Sequence, residues 1–182
     1  MKFLKITFFL FLSLTLISCS DSDETPIYTL STSNIAGTYN MNSFNVDVDL
    51  STEVTTGVSA TFSTIKIIGD IFQIDFVLNS SGSYTVSGQY SVTTTTSVVG
   101  GTSTEDSSIV SFTDSGTFSV NATENTITFN SSQDDFLGNE YLDKTFNVTV
   151  FNETSFTITQ EAEKTIEPIT TKANGEVKFV RQ

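Results

Sequence analysis

The sequence predicts an all-β fold of about eight to ten antiparallel strands, closed into a barrel or stacked as a β-sandwich. Apolar and polar residues alternate through most of the chain after residue 34, which is the pattern of half-buried strands. Clusters of Ser, Gly, Asn and Asp interrupt this alternation at the spacing typical of barrels and sandwiches, roughly every 8–12 residues. Both architectures put one strand face inside, so alternation alone does not choose between them.

The strands are predicted in order along the chain. The first two cover residues 35–50 and 60–68. The clearest alternation spans 71–79 and 83–92, and the turn-forming residues between these segments predict an antiparallel hairpin. The remaining strands are predicted around 118–120, 127–129, 146–150, 156–158 and 177–179.

Three longer irregular segments are predicted between the strands, at 97–107, 130–143 and 165–174. Loops of this length on a β scaffold are where binding residues usually lie. The pair Asn174-Gly175 suits a type I′ turn, in which both central residues need a positive φ. We therefore expect a tight turn at this pair.

One face of the predicted strands is rich in aromatic side chains. Each buried aromatic contributes roughly 1.5–3 kcal/mol or more of transfer free energy. The set can fill an eight-stranded barrel, or it can line an apolar pocket with room for one ligand. The predicted interior lining consists of Phe72, Phe76, Tyr84, Tyr90, Phe118, Phe129, Phe146 and Phe156.

The composition excludes several catalytic centres. The chain has no His and one Cys, so neither a Ser-His-Asp arrangement nor a histidine-ligated metal site can be built. No spacing singles out a catalytic carboxylate pair, and we predict no enzyme activity, no catalytic residues, no metal and no cofactor. The acidic segment 134–143 lacks the EF-hand spacing, and calcium binding there is left open.

The N-terminus has the pattern of an exported protein. Lys2 and Lys5 precede an apolar run at 6–17, which is too short for a transmembrane helix. Residues 16–19, with the sequence LISC, stand at the end of this run and resemble a bacterial lipobox. This resemblance implies that residues 1–18 are a signal peptide and that Cys19 carries three acyl chains anchoring the protein to a membrane.

The segment after Cys19 is acidic. Residues 20–26 resemble the export signal of surface lipoproteins of the Bacteroidetes group, which implies an outer-membrane location facing the cell surface. The alternative is a solvated spacer with no sorting role, which leaves the choice between the periplasmic and the surface face open. We predict a lipidated tether at 19–34 and one domain at 35–182. Loss of Lys2 and Lys5 leaves 6 cationic and 21 acidic residues, a net charge of −15, which disfavours nucleic acid as a partner.

Short motifs along the domain resemble the lipocalin-like bacterial lipoproteins. Residues 35–39, IAGTY, are similar to the Gly-x-Trp start of that family, with Tyr39 in the tryptophan position. Residues 78–84 and 112–118 resemble its repeated hairpins, and 177–181 resembles its last strand. The resemblance implies an up-and-down barrel in which Tyr39 plugs one end, Arg181 packs across it, and Gly37 is a structural position.

Two functions fit these expectations. The first is a membrane-anchored, non-enzymatic protein that binds a small apolar ligand inside a lipocalin-like barrel. The second is a structural module of the cell envelope, or one that binds a protein or glycan, with a filled barrel. A continuous apolar cavity would favour the first function and a solidly packed interior the second. We predict a monomer in both cases.

Overall fold

The computed structural model describes residues 28–131, 133 and 135–182. The predicted signal peptide, Cys19 and the acidic segment 20–26 lie outside the described residues, as does Asp134. Within the described part of the chain, no helix has the length and apolar character needed to cross a membrane.

Eight antiparallel strands form a closed up-and-down barrel. Each strand pairs with the next along the chain, and the last pairs with the first. The barrel prediction is confirmed, the sandwich alternative is wrong, and the number of strands is eight. The elements are α1 (Thr32–Ile35), β1 (Gly37–Thr55), β2 (Val58–Leu78), β3 (Ser83–Val98), β4 (Thr104–Asn121), β5 (Thr126–Ser131), β6 (Thr145–Phe151), β7 (Ser155–Ile166) and β8 (Ile169–Arg181).

The end of the barrel where β1 begins and β8 ends is covered by residues 28–36, and we call it the closed end. The Ser31 side chain caps α1 by accepting a hydrogen bond from the Asn34 backbone N–H. Leu30 and Ile35 are buried in the core. Packed residues therefore begin upstream of the predicted boundary at residue 35, within the segment predicted as tether.

The predicted irregular segment at 165–174 and the turn at Asn174-Gly175 are wrong. β7 continues to Ile166 and β8 begins at Ile169, so only Glu167 and Pro168 connect them. Asn174 and Gly175 lie within β8 and pair with β1 on one side and β7 on the other. Cross-strand pairing on both sides overrides the local turn preference of this dipeptide. The segment predicted at 97–107 is also shorter, because only residues 99–103 separate β3 from β4.

The connection between β5 and β6 is long, as predicted, and it folds into the barrel. Phe136, Leu137 and Leu142 are buried in the core. The Phe136 ring centroid lies 4.8 Å from that of Phe129 and 4.7 Å from that of Phe146. We call residues 135–143 the plug.

The strands differ greatly in length. β5 and β6 have 6 and 7 residues, whereas the other six strands have 12 to 21. The hairpins β1–β2, β3–β4 and β7–β8 therefore rise beyond the plug, at the end opposite the closed end. We call the space enclosed by these three hairpins the mouth.

Candidate functional site

The predicted interior residues lie inside the barrel and pack against one another. Seven of the eight are buried, and Phe72 is partly buried against the core. Phe76 is fully buried, with ring centroids 4.9–6.5 Å from those of four other aromatic residues. These four are Tyr84, Phe129, Phe156 and Phe179. Aromatic rings thus fill the half of the barrel nearer the closed end.

Gly37, Tyr39 and Arg181 meet at the closed end. Arg181 Nη2 donates hydrogen bonds to Tyr39 Oη at 2.7 Å and to the Asn34 carbonyl at 2.8 Å. Its Cζ lies 5.2 Å from the centre of the Tyr39 ring, and a Cβ at Gly37 would lie 3.2 Å from that same Cζ. Burial raises the pKa of Tyr39, and the charge of Arg181 opposes this shift. These contacts seal the closed end against a ligand.

A buried carboxylate joins the barrel wall to the start of the β5–β6 connection. Asp114 Oδ2 accepts hydrogen bonds from Tyr84 Oη and Ser131 Oγ, both at 2.7 Å. Burial, followed by the bond to Asp114, raises the pKa of Tyr84 well above its ordinary value. Sequence reasoning did not single out Asp114; the available signal was its even spacing from Phe112 and Phe118 on β4. All of its contacts are internal, so this cluster fixes the position where the connection begins.

Two cavities occupy the mouth on either side of the plug. The larger, about 550 Å³, lies against the inner faces of β1, β7 and β8. The other, about 430 Å³, lies against the inner faces of β2, β3 and β4. Glu140 and Tyr141 of the plug line both cavities and separate them. Both volumes fall in the range of small-molecule sites, roughly 300–1,000 Å³.

The mouth combines apolar walls with acidic side chains. In the larger cavity the wall is formed by Leu50, Ala162, Ile166, Ile169 and Ala173. The two cavities together are lined by four acids and a single cation, Lys164. The acids are Asp135, Glu140, Asp143 and Glu163.

One of the acids that line the mouth is paired with a cation. Glu163 forms an exposed ion pair with Lys172, with Oε2 3.2 Å from Nζ. Burial, with smaller effects of Glu140, raises the pKa of Tyr141. Among the residues that the structure describes, no three acids come together as a group that could hold a metal ion, and Asp134 of the predicted acidic segment lies outside them.

The outer face of the wall formed by β3 and β4 is polar. Outward-facing positions of β3 and β4 carry Ser, Thr, Gln, Glu and Asn, with Ile109 as the apolar exception. In a transmembrane β-barrel this face carries an apolar band about 25 Å tall. The wall formed by β3 and β4 therefore has the polarity of a surface in contact with water.

Comparison with known proteins establishes no family for this chain. No protein-family model and no curated protein matches it. A solved structure of Ail, the attachment invasion locus protein of Yersinia pestis, in complex with the heparin analogue sucrose octasulfate, is similar at 7% identity and a TM-score of 0.26. The similarity covers 81% of this chain and 100% of the Ail chain. A TM-score this low does not establish a shared fold.

Proposed function

We propose that this protein is a lipid-anchored, non-enzymatic interaction module of the cell envelope that binds its partner through the mouth. The observation that carries this proposal is the asymmetry of the barrel. Aromatic rings fill the half near the closed end, whereas the opposite half holds two open cavities. The aromatic half leaves little room for a small apolar ligand, and the two cavities of the mouth are open and partly lined by charged side chains, so the interaction module is the better supported of the two functions.

The position of the N-terminal residues supports an outward-facing mouth. The Tyr28 ring packs against Phe151 at the closed end, with centroids 4.7 Å apart. A lipid on Cys19 would precede Tyr28 by nine residues, which span at most about 30 Å when fully extended. An outer-membrane anchor would therefore hold the closed end near the lipid and leave the mouth directed away from it. The polar wall agrees with a barrel held beside the membrane by its lipid.

We also propose that the chain is related to the lipocalin-like lipoproteins. The support is the packing of Tyr39, Arg181 and Gly37 at the closed end, together with the up-and-down order of the strands. The resemblance concerns these structural positions, and it does not imply a specific ligand.

Replacing Cys19 by alanine is expected to release the protein from the membrane. Without a thiol at this position no thioether to lipid can form, and the product has no lipid anchor. Fractionation of cells into membrane and soluble parts, followed by mass measurement of the product, tests this expectation. The matched control is Ser20→Ala, which leaves the thiol in place and should stay in the membrane fraction. Retention of the Cys19→Ala protein in the membrane would contradict the anchor.

Site-specific photo-cross-linking in the producing cells tests the use of the mouth. A photoreactive residue replaces Thr96, which lines the smaller cavity, or Asn152, which is exposed at the closed end. We expect discrete adducts from position 96 and none from position 152, because the partner sits in the mouth. The mass of the adduct distinguishes a protein from a glycan or a small molecule. Adducts from position 152 alone, or from neither position, would overturn the proposed function.

A further inference from the structure

We propose that the occupant of the mouth is a basic segment of a partner protein, in which Lys or Arg residues alternate with apolar ones. This inference rests on the proposed function and specifies the chemistry of its partner. Three observations carry it: the apolar tips of the hairpins, the charge of the mouth, and the shape of the cavities.

Exposed apolar residues are concentrated at the hairpin tips. Ten large hydrophobic side chains of the described residues are strongly exposed, and six of them lie at the tips of the three long hairpins. Their exposed fractions run from 39% to 73%. Exposed apolar side chains gathered at one end of the barrel favour a contact surface over random scatter. The six are Val54 and Val58, Val98 and Val99, and Ile166 and Ile169.

The charge of the mouth selects a cationic partner. Four acids and one cation line its cavities; because Glu163 is paired with Lys172, three acids and Lys164 remain, and further exposed acids lie beside the apolar tips. Glu53 precedes Val54, and Glu167 lies between Ile166 and Ile169. Charge complementarity steers association and rejects partners of like charge. This excess of negative charge disfavours anionic lipid headgroups and anionic glycans, and it favours a basic polypeptide.

The two cavities offer separate places for side chains. The apolar wall of the larger one, formed in part by Leu50 and Ala173, suits an aliphatic side chain. Tyr141 stands between the cavities, where its ring can take a cation–π contact from a Lys or Arg of the partner. An alternating basic and apolar segment supplies both kinds of group at short spacing.

The pairing of the strands also bears on how such a segment binds. Each strand pairs with both of its neighbours, but β4 pairs with β5 only over Gly116–Asn121 and β7 pairs with β6 only over Phe156–Thr159, so the mouth-end parts of β4 and β7 each have one edge without a strand partner. Backbone hydrogen bonds to these edges can add to the binding, while the side chains of the mouth and the tips select the basic and apolar groups. Side-chain substitutions at the tips should reduce binding, because the exposed apolar contacts are made there.

Binding of short labelled peptides to the full-length chain, held in nanodiscs of neutral lipid, tests the proposal. The probes are an alternating Lys–Leu peptide, a Glu–Leu peptide and a Lys–Ser peptide, followed by fluorescence anisotropy against empty nanodiscs. We expect the Lys–Leu peptide to bind at least about tenfold more tightly than either of the others, since it alone supplies both charge and apolar surface. Its affinity should fall as salt is raised, because exposed charges are screened.

A variant at the tips locates the binding surface. Combining Val58→Ser, Val99→Ser and Ile169→Ser is expected to weaken binding of the Lys–Leu peptide by about tenfold or more. Ile109→Ser is the matched control, because Ile109 is 71% exposed but lies on the outer wall, and it should bind normally. All four substituted positions are exposed, and circular dichroism with thermal unfolding confirms that each variant is folded.

The outcomes separate this inference from the proposed function. Equal binding of the Glu–Leu peptide, or an equal loss in the Ile109→Ser control, would overturn the inference. Mouth adducts in cells whose mass is that of a glycan or a small molecule would overturn the basic protein partner and leave the mouth as the binding site. Absence of adducts at position 96 would overturn the proposed function itself.

Discussion

Replacing Phe76 by alanine will lower the free energy of unfolding by about 3–5 kcal/mol. Phe76 is fully buried, and its ring meets rings from β3, β5, β7 and β8. Truncation removes the apolar surface and leaves a cavity that four separate strands cannot close together. Urea unfolding followed by circular dichroism measures the loss.

Phe72→Ala is the matched control for this prediction. Phe72 lies on the same strand but is only partly buried, with its ring centroid 5.9 Å from that of Tyr90. The same truncation should therefore cost clearly less. Equal losses for the two variants would show that the ring cluster around Phe76 is not the centre of the core.

Replacing Gly175 by valine will displace the plug. A Cβ at Gly175 would collide with the Leu142 side chain of the plug, and valine adds two methyl groups at the same point. Overpacking of this kind typically costs about 1–3 kcal/mol, and it should be relieved by outward movement of Leu142. We expect a lower unfolding temperature together with faster hydrogen exchange of amides in residues 135–143.

The neighbouring position supplies the control. Asn174 is exposed on the outer face of the same strand, so Asn174→Val should leave both the plug and the unfolding temperature nearly unchanged. If the Gly175→Val protein kept slow exchange in the plug, Leu142 would not be held by this contact.

Alternation of apolar residues was sufficient to predict the strands of the wall and their buried face, although not their closure into a barrel. The hairpin from residue 71 to residue 92 forms as expected, with Phe76 opposite Val86 and Leu78 opposite Tyr84. The period of two survives because each strand has one buried face and one face in contact with water. The position of the aromatic interior could be predicted for the same reason.

Features that depend on distant contacts could not be predicted. Asn174-Gly175 has the local signature of a turn, yet the glycine is required where Leu142 approaches from a segment far along the chain. Phe136 lies in a segment correctly predicted to be irregular, but its burial depends on Phe129 and Phe146. Alternation along the sequence does not mark the exposed apolar pairs at the hairpin tips, because each pair flanks a turn or extends into it. The mouth is therefore visible only in three dimensions.

The shortness of β5 and β6 has a consequence for how a long chain could reach its site. The rim of the barrel is lowest where these two strands end, at Ser131 and Thr145, and high at the three long hairpins. An extended polypeptide can approach sideways over this low part of the rim instead of being threaded along the barrel axis. The recognised segment need not include a chain terminus, and an internal loop of a large neighbouring protein is as accessible to the barrel as a free tail.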